Sequence, residues 1–502
     1  MISGLHNPFS RKAHEFPKDF TWLNADKPIS IDTLKGQVVI LDFWTYCCIN
    51  CMHMLRTLSA IEERYKDKPV IVIGVHSAKF EAERDPKNIK EAISRYGVKH
   101  PVIVDRKMRI WNSYGAAAWP TIIVMNPEGR IVYKGYGEIS GDVIQKFVDQ
   151  SIWRSEAAGT LASGPLITTP QNYEDASVLS YPGKLAISED GSYIAVSDSN
   201  HNRILVVGRK TGKIKTVIGA GSRGLRDGTL SGALFFRPQG LVWVGDIIYV
   251  ADTENHAIRE IDLKSNSVKT IAGNGMQGPY VAFAYTNEAK SISLSSPWDL
   301  AFKDGKLYVA MAGLHQIWVY HVKAKAIGPY AGSGAENISD GTLEAANFAQ
   351  PSGLSIGGNK LYVADSESSS IRSLDTKTGY VATLAGAGLF IFGKGDGALN
   401  RARFQHPIGL SANNGVIYVA DTYNNAVREI SIKEKRVTTL IAANGSQSFC
   451  RFDDPGCDAL GLFEPNDVKA YGNMLYIADT NNHLVRVFDL KTRLLNTLDL
   501  KA

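Results

Sequence analysis

Long apolar runs, a basic-then-apolar leader and any block of like charge are missing from these 502 residues, and each absence narrows the class of protein. With no apolar stretch long enough to cross a bilayer, no membrane span is expected. With no leader pattern in the first forty residues, a cytoplasmic location is the expectation. Cysteine is scarce: five in the whole chain, too few for a disulfide-stapled secreted scaffold. The formal charge is +5, with 22 Lys+Arg against 17 Asp+Glu in residues 1–155 and a balance in the remainder. No basic stretch carries interleaved aromatics, so no nucleic-acid partner is expected. What is present is a globular composition, 44% apolar and 21% charged, in a chain long enough for about two to four domains.

Three of the five cysteines crowd into Phe43-Trp44-Thr45-Tyr46-Cys47-Cys48-Ile49-Asn50-Cys51, directly after the apolar run Val38-Val39-Ile40-Leu41. Around them strand and helix patterns alternate. Strands are expected at Val38–Phe43, Val70–Val75, Val102–Asp105, Thr121–Met125 and Arg130–Tyr136, and helices at Ile49–Tyr65, Pro86–Tyr96, about Met108–Tyr114 and about Ser140–Trp153. That is an α/β domain closing on a hairpin at Asn126-Pro127-Glu128-Gly129. A Cys-x-x-Cys between a strand and a helix, without a second ligand pair, points to a reactive dithiol and not to structural zinc. His53 as a third ligand would leave from another helix face, and Met52 stands where a haem-attachment motif needs histidine. No metal and no cofactor beyond a Cys48–Cys51 disulfide is expected.

Asp42-Phe43-Trp44, Cys48-Ile49-Asn50-Cys51 and Trp119-Pro120-Thr121, with His100-Pro101, Asp105 and the hairpin turn, resemble the redoxin or TlpA-like branch of the thioredoxin fold over residues 15–153. Physical chemistry gives each residue a task. Cys48 at a helix N-terminus, where free N–H groups and the helix dipole favour a thiolate, is the candidate nucleophile. Cys51, almost one turn on and more shielded, is the candidate resolving thiol. Asp42, in an apolar strand, is either a carboxyl of raised pKa that takes the proton of Cys51 or a polar strand end reaching solvent. The resemblance implies that Pro120 is a cis proline facing the dithiol and bordering a peptide groove. Trp44, Tyr46 and Trp119 are the candidate binding residues around it, and Trp119 is large enough to narrow the groove. Cys47 departs from the family pattern, which has tryptophan there; it is an apolar filler or a third thiol able to trap a mixed disulfide.

Residues 155–175, rich in small and turn-forming side chains, read as a linker between a 1–154 domain and a 176–502 domain. The second domain repeats. A proline, two residues and an apolar residue open units at Pro182, Pro238, Pro297, Pro351, Pro407 and Pro465, each followed by a short strand such as Ile248-Tyr249-Val250-Ala251. Six units of 54–59 residues with four short strands each make a six-bladed β-propeller the natural closure. Asp198, Asp252, Asp365, Asp421 and Asp479 end the second strands, with Met311 in unit three. Asn255, Asn425 and Asn482 follow, then Arg259, Arg372, Arg428 and Arg486, with Leu205 and Trp318 in the other two units. These units look like NHL repeats, in which such residues stitch turns and blades together. His201, His256, His315 and His483 share those turns and read as hydrogen-bonding turn residues, not as a metal ring. Lys184, Asp299 and Asp467 occupy one register position that would line the central channel. The two carboxylates could hold a cation or a basic peptide there, or cap turns. Cys450 and Cys457 flank Asp453-Asp454-Pro455-Gly456 as a pair of free thiols or a local disulfide.

Together the two halves resemble the NHL-repeat-containing thioredoxin-like family. The resemblance implies a cytosolic two-domain protein with a preserved dithiol and an interaction platform, and leaves the substrate open. The expected activity is that of a thiol-disulfide oxidoreductase whose propeller recognises protein, with a protein disulfide as substrate and an upstream reductant. The alternative is a non-catalytic interaction scaffold carrying a redox-sensing or relic dithiol. A metal-dependent hydrolase on the propeller would need more converging carboxylates than Asp299 and Asp467 supply.

Overall fold

The computed structural model of the protein describes residues 11–165, 177–279, 284–442 and 461–501. The chain divides into two compact units, 1–174 and 175–502.

The first unit is built on a six-stranded sheet. Its strands are β1 (Trp22–Leu23), β2 (Val38–Trp44), β3 (Val70–His76), β4 (Val102–Val104), β5 (Thr121–Met125) and β6 (Ile131–Tyr136), in the order β1-β4-β3-β2-β5-β6. β2 is central, parallel to β3 and antiparallel to β5. Every residue of β2 is buried, which is why it reads as an unbroken apolar run around one aspartate. Its two faces divide cleanly: Val39, Leu41 and Phe43 pack with Ile73, Val75, Ile110 and Trp111, whereas Val38 and Ile40 pack with Met54, Leu58 and Ile61. The helices are α1 (Ile49–Arg64), α2 (Pro86–Tyr96), α3 (Arg109–Tyr114) and α4 (Gly141–Ala157). α2 has the sequence-legible ends: Asp85 accepts from the Lys87 N–H at 2.9 Å, Pro86 opens the first turn, and Gly97 closes it at φ 66°.

The expected linker begins later than residue 155. α4 runs to Ala157, Ser155 and Thr160 both bond the Glu128 carboxylate, and the Ala162 N–H donates to the Gly36 carbonyl at 2.8 Å. Leu161 packs on the apolar core beneath α4. Residues 155–162 therefore belong to the first unit, held by the hairpin turn they cross. The rest of the expected linker lies partly outside the described residues, as do Cys450 and Cys457.

The second unit is a six-bladed propeller. Each blade is an antiparallel sheet, as in Pro182–Ile187, Tyr193–Asp198, Arg203–Gly208 and Ile214–Ile218 for the first. The innermost strands neighbour one another in a closed ring, the sixth meeting the first. Pieces of the loops entering blades two, three, four and five pair with the outermost strand of the blade they lead to: Gly228–Thr229, Thr286, Gly341–Thr342 and Gly397–Ala398. In blade one that edge is met by Lys501, which bridges to Lys213.

Two side-chain ladders run from blade to blade. The hydroxyls of Ser199, Thr253, Ser366, Thr422 and Thr480 donate to the carbonyls of Pro238, Pro297, Pro407, Pro465 and Pro182 at 2.6–2.8 Å. In the left-handed position that follows stand Asn202, His256, His315, Ser369, Asn425 and His483, at φ 47–58°. Each accepts a backbone N–H from the next blade: Arg237, Ser296, Gln350, His406, Glu464 and, closing the ring, Tyr181, at 2.7–3.3 Å. The histidines are thus acceptors in turns, tautomers with a free Nδ1 lone pair. His201 sits one place earlier and bonds Asp198 at 2.9 Å.

The Asp and Arg also pair in the units that have both. Arg428 reaches Asp421 at 2.7 Å and Asp396, from the Asp-Gly of the entering loop, at 2.6 Å; Arg259 repeats this with Asp252 and Asp227, and Arg372 with Asp365 and Asp340. The amide that reaches the blade aspartate is that of Asn255, Asn424 and Asn482. In unit five this is Asn424, one residue before the expected Asn425, which holds the left-handed position instead. Where Leu205 replaces the arginine, Arg203 covers Asp198 at 2.7 Å. Where Trp318 does, its indole N–H bonds Gln316.

Candidate functional site

The three described cysteines are free thiols, and the strand-to-helix junction makes them unequal. Cys48 is the N-cap of α1, extended at φ −81°, ψ 120°, and its carbonyl accepts from the N–H groups of Cys51 and Met52. It is partly exposed, while Cys47 and Cys51 are fully buried. The Cys48 thiol lies 3.9 Å from the carbonyl oxygen of Trp119. Trp119-Pro120, at the entry to β5, is a cis peptide. Burial, then the neighbouring Cys48 and Asp42, push the Cys51 thiol well up.

Asp42 lies beneath the dithiol with no exposed surface. Its two oxygens have no hydrogen-bond partner among the described residues. Burial pushes its carboxyl up to about 7, against a smaller opposing pull from His100. The alternative of a polar strand end reaching solvent is therefore excluded. Cys47 points away from the pair: its thiol approaches the Thr45 hydroxyl at 3.8 Å and its N–H donates to Glu83 at 2.9 Å. Glu83, unremarked in the sequence, is itself buried and collects the N–H groups of Lys79 and Phe80 as well. It is the residue that fixes the turn carrying Cys47, and nothing in its local sequence marks it.

The expected binding residues are placed differently from their expectation. Trp44 and Tyr46 have no exposed surface and cannot touch a substrate. Trp44 packs edge-on to His76 at 5.1 Å, and Tyr46 stacks on His76 at 5.5 Å. Trp119 is partly buried, its indole lying on Trp111 at 4.6 Å and donating to the Ser77 carbonyl at 2.8 Å. The ring is tied back into the core, so it braces the Pro120 loop where a narrowed groove was expected. His53 bonds Glu138 at 2.7 Å. Among the described residues no cluster of three or more His, Cys, Asp or Glu has the arrangement of a metal site.

In the propeller, Lys184, Asp299 and Asp467 do converge, all fully buried. Lys184 Nζ donates to the Ile408 carbonyl at 2.7 Å and stands 3.5 Å from Asp299, while Lys469 stands 3.2 Å from Asp467. The same carboxylates accept backbone N–H groups, Asp299 from Leu300 and Leu354 and Asp467 from Leu185. The cation-site expectation for Asp299 and Asp467 is corrected: two lysines already neutralise the pair, and their oxygens serve the inner strands. Burial lowers the Lys184 pKa, with the two aspartates opposing.

Comparison with known proteins places both halves. A family described as thioredoxin-like matches residues 36–131, the NHL repeat matches 404–430, and the LVIVD repeat matches 465–487. The human NHL repeat-containing protein 2 is 37% identical over 525 residues, covering 96% of this chain and 71% of its own length. The chain belongs to the NHL-repeat-containing thioredoxin-like family. The family also includes a longer Arabidopsis thaliana relative, Protein SUPPRESSOR OF QUENCHING 1, chloroplastic, 42% identical over 497 residues; these cover 95% of this chain but 46% of the relative, so the chain spans less than half its length. Among solved structures, a thioredoxin-like superfamily protein, SPOA0173, aligns with 28% of this chain and 96% of its own at 21% identity, with a TM-score of 0.27. No helix of the described residues is long and apolar enough to cross a membrane.

Proposed function

We propose that this member of the family is a thiol-disulfide oxidoreductase acting on protein disulfides. The observation that carries the reading is the asymmetry of the two thiols: Cys48 partly exposed beside the Trp119 carbonyl, Cys51 buried above Asp42. Cys48 attacks a substrate disulfide as the thiolate, forming a mixed disulfide and releasing one substrate sulfur with its electron pair. Asp42 takes the proton of Cys51, and the Cys51 thiolate then displaces the second substrate sulfur from Cys48. An upstream dithiol reductant returns the Cys48–Cys51 disulfide to two thiols. Pro120 and the Trp119 carbonyl border the place where an extended substrate segment lies.

Five cysteines in 502 residues, too few for a disulfide framework, suit a reducing compartment. Cytoplasm is the sequence expectation, and the chloroplastic relative extends the proposal to an organelle interior. In the propeller, the recurring Asp, Asn and Arg are occupied with one another, and Asp299 and Asp467 with Lys184 and Lys469. Its part is accordingly recognition of a protein partner by its surface, not chemistry.

Insulin reduction tests the reading. Wild type should turn over, Cys48→Ser should fall to background, and Cys51→Ser should accumulate a mixed disulfide at Cys48. Background rates in wild type and Cys48→Ser alike would instead support the interaction scaffold, for which partner capture survives the loss of Cys48.

A further inference from the structure

Behind the dithiol, the sheet face beneath α1 changes character halfway along β2 and β3. Its lower part is apolar, with Val38, Ile40 and Val72 against α1. The next positions on the same face are Asp42 and Trp44 on β2 and Gly74 and His76 on β3, in register as Asp42↔Gly74 and Trp44↔His76. Gly74 interrupts the apolar run of β3, and the side chains of Trp44, Val102 and His100 close over it. A Cβ there would meet Trp44 Nε1 at 2.9 Å, Val102 Cγ2 at 3.2 Å and His100 Nε2 at 3.3 Å, so the two ring nitrogens converge beside this glycine.

Those two nitrogens and both Asp42 oxygens have no hydrogen-bond partner among the described residues, and all three side chains are at most 3% exposed. Their chemistry is complementary. The indole N–H only donates, a carboxylate accepts, and an imidazole nitrogen does either. Buried groups of this kind are satisfied by internal water, which takes two to four polar partners. The other nitrogen of His100 leads outward: Nδ1 is 3.2 Å from Glu62, whose side chain is 25% exposed. His76, the remaining imidazole on this face, is held neutral by burial, its pKa pushed down to about 3, and it packs against the Trp44 and Tyr46 rings.

We propose that the polar atoms of Asp42, Trp44 and His100 share an internal water, and that this water, His100 and Glu62 form the route by which the proton of Cys51 leaves the interior. The route rests on the thiol-disulfide reading. Asp42 takes the proton from the Cys51 thiol, and the thiolate forms the Cys48–Cys51 bond as the substrate sulfur departs with its electron pair. Asp42 is then a neutral acid. It gives its proton to the water, which passes one of its own to His100 Nε2. His100 releases the proton on Nδ1 to Glu62, which exchanges with solvent. Reduction of the disulfide runs the same transfers inward.

The groups facing Asp42 are Cys51 and Cys48 from α1 and its cap, His100 from the segment before β4, and His76 from β3. Of these, only His100 connects to a partly exposed acid. At pH 6, with Asp42 mostly protonated, the route must empty it before Cys51 can ionise; at pH 8 Asp42 is already ionised.

Stopped-flow reaction of full-length protein with 5,5′-dithiobis(2-nitrobenzoate), with Cys450 and Cys457 changed to Ser, separates the steps. The first nitrothiobenzoate released reports attack by Cys48, and the second reports resolution by Cys51. In His100→Gln and in Glu62→Gln the first phase should be unchanged. The second should slow by about ten-fold at pH 6, recover towards wild type at pH 8, and be accelerated by added imidazole in His100→Gln. A second phase equal to wild type at pH 6 in both variants, or a loss that is flat with pH and indifferent to imidazole, overturns the route while leaving the oxidoreductase intact. A wild type lacking the second phase overturns both. Glu62→Gln, at a partly exposed site, keeps the test decisive if His100→Gln does not fold.

Discussion

Replacing Asp42 with asparagine should make the first domain more stable and less active at once. The carboxyl is fully buried and its pKa stands at about 7, where an ordinary aspartate has 3.8. About three pKa units correspond to about 4 kcal/mol, at roughly 1.4 kcal/mol each. The sign follows from proton counting. Below the ordinary value both folded and unfolded chains carry the proton, and the site has no ionisation cost. Between about pH 4 and 7 the folded chain holds a proton that the unfolded chain has lost, so stability falls as pH rises. Above about 7 the folded carboxylate is ionised in an apolar enclosure and the loss is complete. Asparagine has the same shape and no charge. The variant should match wild type near pH 4, draw ahead through pH 5–7, and reach a plateau by pH 8 with a gain of at most about 4 kcal/mol. Hydrogen exchange of peptides covering residues 38–44, read by mass spectrometry across a urea series at pH 5 and pH 8, isolates this domain in the full chain. Resolution by Cys51 should meanwhile slow by about 10²-fold at pH 7. Equal pH slopes in variant and wild type, or a variant less stable at pH 8, would refute the placement of an ionisable acid under the dithiol.

Three further perturbations address the framework. His256→Ala removes the acceptor of the Ser296 N–H and should cost about 1–3 kcal/mol of propeller stability by calorimetry; His256→Asn, which keeps an acceptor, should stay within about 1 kcal/mol. Lys184→Met leaves Asp299 and Asp467 facing each other with one partner fewer and should cost about 3–5 kcal/mol at pH 7. That loss should shrink at pH 4 and be partly restored by Asp299→Asn, again by calorimetry. Glu83→Gln, which exchanges an acceptor of three N–H groups for one with a single acceptor oxygen, should expose the Cys47 turn and raise the alkylation rate of Cys47 by iodoacetamide by at least about ten-fold.

The sequence carried the first domain's elements closely because β2, β3 and β5 are buried on both faces and α2 has an Asp-Pro start and a Gly stop. The dithiol register and Asp42 were legible for the same reason: one acid in an apolar strand stands out. The surroundings were not. Trp44, Tyr46 and Trp119 read as binding groups by closeness to the cysteines, but pleat alternation and the packing of Trp111 and His76 draw their rings inward. Glu83 and His100 reach the site from segments far along the chain, and only tertiary contact reveals them. Gly74 was the one available signal, since a lone glycine inside Val70–His76 marks a close approach. In the propeller the repeating residues announced their stitching role. Asp299 and Asp467 misled because their negative charge is already met by Lys184, at the same register position in blade one, and by Lys469, two residues along the strand.

The pairing of Lys501 with the outer strand of blade one gives the propeller an order of assembly. Blades two to five receive their edge contact from chain synthesised just before them. Blade one receives its own from the far end, and the His483–Tyr181 and Thr480–Pro182 bonds that join sixth blade to first also link positions about three hundred residues apart. On the ribosome, therefore, the blades can form one after another as an open arc, but the circle cannot shut until the sixth blade, through His483, has left the exit tunnel, and the outer edge of blade one stays bare until Lys501 follows. A nascent chain stalled before that point presents two unmatched blade edges at once, and those edges are what a chaperone would have to shield.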